Sequence, residues 1–295
     1  MSSLTGQVSG TRASAAQWLK AHSCMSKPAL DALAQLTPAL LTELAKSDST
    51  TLAIAGPPGS GKSTLARLLA HLLTASGKAA TVLSLDDYYF SRSHRMQLAQ
   101  DLHPLLQMRG VPGTHDWGAL LRDFDCLRNG QIRGLLLPVF NKSTDDLEPR
   151  SRWRPVEARP EYLIVEGWCV GAPAQAGLEL EAAVNELESK QDPLATWRKY
   201  VNRCLALYHS SLRQRVGQSW YLSVPDWDCV IEWRWQQERE LSRPLLASRE
   251  ETRKFLATFE RIVRHMQATS RDWADCRLET DSTHCLHPGL HSGAT

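Results

Sequence analysis

Residues 51–73 read TLAIAGPPGSGKSTLARLLAHLL. Within them Gly56, Gly61, Lys62 and Ser63 satisfy G-x-x-x-x-G-K-[ST], with Pro57, Pro58, Gly59 and Ser60 as the variable positions and Thr64 next in line. Each fixed letter has a mechanical reason. Glycines let the backbone wrap closely, so that its N–H groups face phosphate oxygens. The helix that starts at Lys62 adds its positive end, Lys62 reaches the β- and γ-phosphates, and the Ser63 hydroxyl is placed to ligate Mg²⁺. The stretch therefore predicts a nucleotide-phosphate site over 56–64. It leaves open whether the terminal phosphate goes to water, a protein side chain or a small hydroxylated molecule.

Carboxylates narrow that choice. A kinase for a small molecule needs a base beside the acceptor hydroxyl, in line with the γ-phosphate. In parallel sheets ligands sit beyond the carboxyl ends of the strands. Asp86 and Asp87 close the apolar run ATVLSLDD (80–87), and Glu166 closes EYLIVEG (161–167). These three acids are expected to converge on the phosphate crevice.

Three loops add cations. MRGVPGTHDW (108–117) sets a rigid turn through Gly110, Pro112 and Gly113 and presents Arg109, His115 and Asp116. Arg109 suits a carboxylate or phosphate, while Asp116 is equally suited to cap a helix. FNKSTDDLEPRSRWRP (140–155) carries Lys142 among further basic residues, and EWRWQQERELSR (232–243) offers Arg234, Arg239 and Arg243. One of these arginines is expected to close over the transferring group, and Arg239 is taken for that role. A GTPase reading fails by one residue: after Asn141 and Lys142 the acid of N-K-x-D should stand at Thr144, but it stands at Asp145.

The surrounding elements must position these groups. Thr51–Ala55 suits a buried parallel strand. Leu65, Leu68, Leu69, Leu72 and Leu73 form one face of the following helix, and Gly77 ends it. Strand, loop, helix and strand make a βαβ unit and imply a parallel sheet. Further strands are expected at 134–140, 161–167, 228–233 and 276–281, and Trp233 and Trp235 alternate as strand residues would. Helices are expected at 15–46, punctuated by Pro28 and Pro38, and over 179–216 and 235–269. The expected architecture is a three-layer α/β/α P-loop fold with a mainly parallel sheet: a helical extension (1–48), a kinase domain (49–287) and a flexible tail (288–295).

The totals agree with an ordinary globular chain: 295 residues, 42% hydrophobic, 22% charged, net charge +2. That charge offers no field for nucleic acid or an anionic membrane, and no apolar run approaches the ~20 residues of a membrane span. Seven scattered cysteines without a CxxC pair fit reduced thiols and a cytoplasmic setting. Cys276, His284, Cys285 and His287 match no zinc spacing and read as a loop or tail. The Ser-rich, acid-free start faintly resembles a transit peptide, but one Arg and one Lys in 24 residues favour a frayed lead into a helix.

Taken in order, GPPGSGKST, SLDDYYF, RGVPGTHD, FNKS, LIVEGW and EWRWQQE resemble the D-glycerate 3-kinase-like branch of P-loop kinases, from about residue 50 to about 280. The resemblance implies ATP, Mg²⁺ and a small hydroxylated acceptor such as D-glycerate. It implies Asp86 as the base and Glu166 as the acid supporting the metal beside Ser63. It also implies an acceptor site made by Lys142 and the Arg109–His115–Asp116 loop, next to Asp87 and Tyr88. One departure stands out: the branch commonly has YDKS, and here Phe140 and Asn141 replace the first two letters. Other small acceptors, pantothenate- or nucleoside-like, and a P-loop switch acting on a protein partner are the competing readings.

Overall fold

The computed structural model describes residues 2–23, 25–240 and 246–289. Cys24, Arg243 and the last six residues of the expected tail lie outside the described residues. The elements run α1 (Ser2–His22), α2 (Lys27–Leu44), β1 (Thr51–Ala55), α3 (Lys62–Ala75), β2 (Ala80–Ser84), α4 (Arg92–Asp101) and α5 (Trp117–Asn129). Next come β3 (Leu136–Leu137), β4 (Phe140–Asn141), β5 (Asp146–Leu147), β6 (Arg154–Pro155), β7 (Tyr162–Glu166), α6 (Glu186–Gln191) and α7 (Thr196–Arg213). The chain continues through β8 (Gln218–Ser223), α8 (Trp227–Glu240), α9 (Arg249–Trp273), β9 (Cys276–Thr280) and β10 (Leu286–Pro288).

The main sheet has the order β10-β9-β8-β1-β7-β2. Its pairs are parallel except the β9–β10 hairpin. β1 is central and wholly buried, so the loop that leaves it opens between the ends of β7 and β8. Alternation along the strands divides the core in two. Ala53, Ala55, Leu83, Val165 and Tyr221 face α5, α7, α8 and α9, whereas Leu52, Ile54, Ile164, Trp220 and Leu222 face α1, α2 and α3. This is the expected three-layer α/β/α arrangement. The amino-terminal helices are part of it: Ala15, Leu19, Leu33, Leu40 and Leu44 share one apolar cluster with Leu65, Leu68, Leu69 and Leu72 of α3. Helix begins at Ser2, ahead of the expected start, and Pro38 sits inside α2 rather than breaking it.

Other expectations are corrected. Residues 228–233 are helical, within α8. Asp226 accepts the Cys229 N–H (2.8 Å) as a cap, and Trp227, Val230 and Ile231 meet the core at i, i+3 and i+4. Residues 134–140 hold no strand of the main sheet: Pro138 separates the two short strands β3 and β4, which pair with β6 and β5 in two small ribbons. The span 179–216 is broken into α6 and α7. The strand expected over 80–87 stops at Ser84, and Leu85–Tyr88 form a 3₁₀ turn. β8, QSWYLS, escaped the sequence reading because its polar residues break the apolar run. Tertiary partners satisfy them: the Gln218 side-chain amide donates to the Glu43 carbonyl (3.2 Å), and the Ser223 hydroxyl oxygen accepts from the Arg277 guanidinium (3.2 Å).

Leu68 is fully buried between α3 and the sheet. Leu68→Ala should destabilise the fold by about 2–5 kcal/mol, the cost of lost burial plus a residual cavity. Urea denaturation should show this as a lower midpoint at an unchanged slope.

Candidate active site

The phosphate loop has the backbone that its glycines were expected to allow. Gly59 and Gly61 sit at φ 84° and 88°, a region that side-chain-bearing residues avoid. A Cβ at Gly56 would lie 2.7 Å from Ser60 Oγ and 3.0 Å from Leu222 Cβ, so only glycine fits where β1 turns. Gly61 caps α3, whose first turn carries Lys62, Ser63 and Thr64 and no acid. The Ser60 hydroxyl is buried without a partner. A glycine-formed cradle at a helix N-terminus, holding an orphaned donor, fits a phosphate chain.

A cleft of about 180 Å³ opens above this loop. Pro58, Gly59 and Gly61–Thr64 form its floor, and Asp86, Tyr89, Arg109, Lys142, Trp168, Arg234, Gln237, Phe255 and Phe259 line the rest. The 3₁₀ turn after β2 selects its members, because adjacent residues there point about 120° apart. Asp86 faces the cleft. Asp87 does not: it accepts the Phe140 N–H (3.4 Å) and lines a second cavity behind β2, and burial raises its pKa. Tyr88, expected at the acceptor, instead packs in the core and donates to Asp123 (2.8 Å). Tyr89 takes its place in the cleft.

Asp86 is the electrostatic centre. Lys142 Nζ lies 2.5 Å from Asp86 Oδ2, and the Tyr89 hydroxyl donates to Oδ1 (3.0 Å). Burial pushes the carboxyl's pKa up. The charges of Lys142 and Lys62, with the hydrogen bonds from Lys142 and Tyr89, outweigh it and hold the carboxyl well below its usual range. Lys142 is carried by a flap, 140–147, built by Asn141. The Asn141 side-chain oxygen accepts from the Ser143 N–H (2.9 Å) and hydroxyl (2.5 Å), and its amide donates to Glu148 (2.7 Å). The departure from the YDKS pattern is thus a turn-forming residue.

Arg109 lines the cleft but is paired: its guanidinium bonds Asp145 and stacks over Phe140. Asp145, the acid one place too late for a guanine motif, also pairs with the fully buried Arg95 (2.9 Å). Arg95 in turn donates to the carbonyls of Phe90, Gln107 and Asp145. One buried guanidinium therefore fastens the flap to the loop after β2.

Besides Asp87 and Tyr88, four more expected residues lie elsewhere. His115 is buried behind Tyr89, stacked on its ring at 4.5 Å, with the Tyr208 hydroxyl 3.3 Å from Nδ1 and no partner at Nε2. Burial lowers its pKa to about 3, so it is a neutral wall behind the tyrosine. Asp116 is a cap, accepting the Ala119 N–H (2.8 Å) at the start of α5. Glu166 is buried, accepts the Ser84 hydroxyl (2.5 Å) and lines the cavity behind β2 with Asp87, because side chains alternate along β7. Arg239 is exposed near the end of α8. Five positions along the helix separate it from Arg234, which turns it about 140° away; of these two arginines of α8, Arg234 is the one that lines the cleft, paired with buried Glu238.

Among the described residues, no group of three or more His, Cys, Asp or Glu could hold a metal by protein ligands alone. Six described cysteines are free, and no described helix is long and apolar enough to cross a membrane.

A phosphate cradle, a carboxylate facing it and arginine-bearing α8 at the rim define a P-loop kinase, and comparison with known proteins agrees. Residues 37–108 match the family described as Nephrocystin 3, N-terminal, a segment that takes in β1, the phosphate loop and α3. The chain is 33% identical over 199 residues to the uncharacterised kinase mug58 of Schizosaccharomyces pombe, covering 64% of this chain and 70% of that protein. It is 26% identical to the chloroplastic D-glycerate 3-kinase of Arabidopsis thaliana, over 63% of this chain but only 40% of that protein. The fold matches the solved D-glycerate 3-kinase from Cryptococcus neoformans with TM-score 0.69 at 21% identity, covering 87% of this chain and 99% of that one. The chain belongs to the D-glycerate 3-kinase-like family of P-loop kinases.

Lys142→Ala should raise the Asp86 pKa, because it removes the nearer ammonium and one hydrogen bond. A depressed carboxylate contributes stability above its unfolded pKa of about 3.9 and loses it as pH falls towards the folded value. The variant should therefore lose stability relative to wild type above pH ~4, and the difference should shrink under stronger acid. Carboxyl carbon NMR and melts across pH 2–7 would check both.

Proposed function

We infer that this protein transfers the γ-phosphate of ATP, with Mg²⁺, to a hydroxyl of a small hydroxy acid, and that D-glycerate is the first candidate. The observation that carries this reading is the placement of Asp86 in one cleft with Lys62, Lys142 and Arg109. Kinship to a kinase family supports a small-molecule kinase, and the names of two relatives suggest the acceptor.

The residues divide the work as follows. Lys62 and the loop N–H groups hold the phosphates, and Ser63 is the hydroxyl that would hold Mg²⁺. Bound Mg²⁺ supplies charge neutralisation on the phosphate oxygens. With Glu166 turned to the cavity behind β2, Asp86 is the carboxylate that faces the same cleft. An acceptor carboxylate has Lys142 and Arg109 to meet. Drawing Lys142 away from Asp86 removes the strongest influence lowering its pKa, so acceptor binding makes Asp86 a better base. The acceptor hydroxyl oxygen then bonds the γ-phosphorus, the bond to the bridging oxygen breaks, ADP leaves, and the hydroxyl proton passes to Asp86. Arg234 adds positive charge at the rim, where the transferring group gathers negative charge.

A second reading has its own support. Trp168, Phe255 and Phe259 give the cleft an aromatic wall, with Trp168 edge-on to Phe259 at 4.8 Å. Such a wall suits an acceptor with an apolar portion, such as pantothenate.

ADP release from ATP–Mg²⁺, measured with D-glycerate, L-glycerate, pantothenate, uridine and ribulose 5-phosphate, separates these readings. Stimulation by D-glycerate alone is the expected result. Stimulation by pantothenate alone would move the assignment to the second reading, and stimulation by none would sink both. Lys62→Ala should abolish turnover in a folded protein, and near-normal turnover in that variant would overturn the role given to the phosphate loop.

A further inference from the structure

The β9–β10 hairpin lies at the sheet edge, yet its turn reaches the phosphate loop. Asp281 builds that turn, accepting the N–H groups of Thr283 (2.8 Å) and Cys285 (3.0 Å) and facing His287 Nε2 (2.8 Å). Its result is His284 at φ 68°, with Nε2 directed inward, 2.6 Å from the Gly59 carbonyl oxygen. A carbonyl only accepts, so Nε2 carries the proton and donates it. The same imidazole stacks on the Trp233 indole, with centroids 3.9 Å apart and planes 15° apart. Trp233 belongs to α8, and the next residue is Arg234, which lines the cleft. At Gly59 the loop and α8 nearly touch: a Cβ there would lie 3.0 Å from Trp233 Cβ and 3.5 Å from the Arg234 nitrogen.

We propose that His284 is a positioning residue of the nucleotide site, whose one ring fixes the Gly59 peptide of the phosphate loop and holds α8 against it, so that Arg234 stays over the cleft. This rests on the reading that the loop holds ATP. As a glycine, Gly59 has more freedom to rotate its peptide than a residue with a side chain, and a tethered carbonyl restricts that rotation. The lost freedom is then already spent before a nucleotide arrives, which favours binding. Burial lowers the His284 pKa, so the ring is the neutral donor at neutral pH.

The test uses His284→Ala, His284→Gln and His284→Phe in the full chain, with calorimetric ATP affinity, KM for ATP, kcat, acceptor KM and melting temperature. Glutamine keeps a donor and loses the stack; phenylalanine does the reverse. His284→Ala and His284→Phe should weaken ATP binding by about tenfold, the scale of one well-placed hydrogen bond. His284→Gln should recover to within about threefold, with acceptor KM unchanged in all three. ATP affinity within twofold of wild type in His284→Ala would overturn the proposal. So would equal losses in the glutamine and phenylalanine variants that simply follow melting temperature. Should His284→Ala not fold, ¹⁵N-histidine NMR of the wild type decides: the His284 signal should show the Nε2–H form and shift on ATP addition, and indifference to ATP would overturn the idea. Lys62→Ala is the control: retained ATP affinity there would sink the phosphate-loop reading itself, whereas lost affinity there with an indifferent His284→Ala would sink only this inference.

Discussion

The Asp86 carboxylate stands between two ammonium groups, and most of the site exists to keep it there. Burial alone would favour its neutral form; Lys142, Lys62 and the Tyr89 hydroxyl reverse that preference. Each of these partners has its own support. Tyr89 is backed by the neutral ring of His115, and Lys142 rides on a flap turned by Asn141 and tied down through Asp145 to buried Arg95. Lys62 comes from the helix that the loop after β1 begins. A negative group is thus held charged, close to where a phosphate chain would lie, by cations that the chain itself or an acceptor can recruit.

This arrangement depends on the sheet. β1 lies between β7 and β8, so its loop emerges at the middle of the carboxyl edge, and β2, one strand further, delivers the turn bearing Asp86. Helices pack on both faces, which leaves that edge as the place where polar groups gather. The hairpin at the far edge returns to the same place through His284, so both ends of the sheet contribute to one cleft.

Much of this was legible in the sequence because it is local. The glycine spacing, the apolar strand before it and the leucine face after it specify the phosphate loop through backbone geometry within about 25 residues. What was not legible depends on direction rather than composition. Asp86 and Asp87, like Tyr88 and Tyr89, are neighbours of one type, and only the 3₁₀ turn decides which faces the cleft. Arg234 and Arg239 differ by their angle on α8, and α8 itself was read as a strand because Trp233 and Trp235 alternate. Asp116 and Glu166 were correctly found at element ends, but capping and a serine hydroxyl engage them. β8 was missed because Gln218, Ser219 and Ser223 interrupt its apolar pattern, and the partners of Gln218 and Ser223 are far away in sequence.

In the proposed transfer, the carboxylate facing the phosphate loop accepts the proton of the attacking hydroxyl. Asp86→Asn keeps the size and hydrogen-bonding shape of that side chain and removes its charge. Its turnover, measured beside calorimetric ATP binding, is the most direct test. A loss of about 10²–10⁴-fold in kcat is expected, typical of a removed general base, with ATP affinity largely retained. Near-normal turnover in Asp86→Asn would rule out Asp86 as the base.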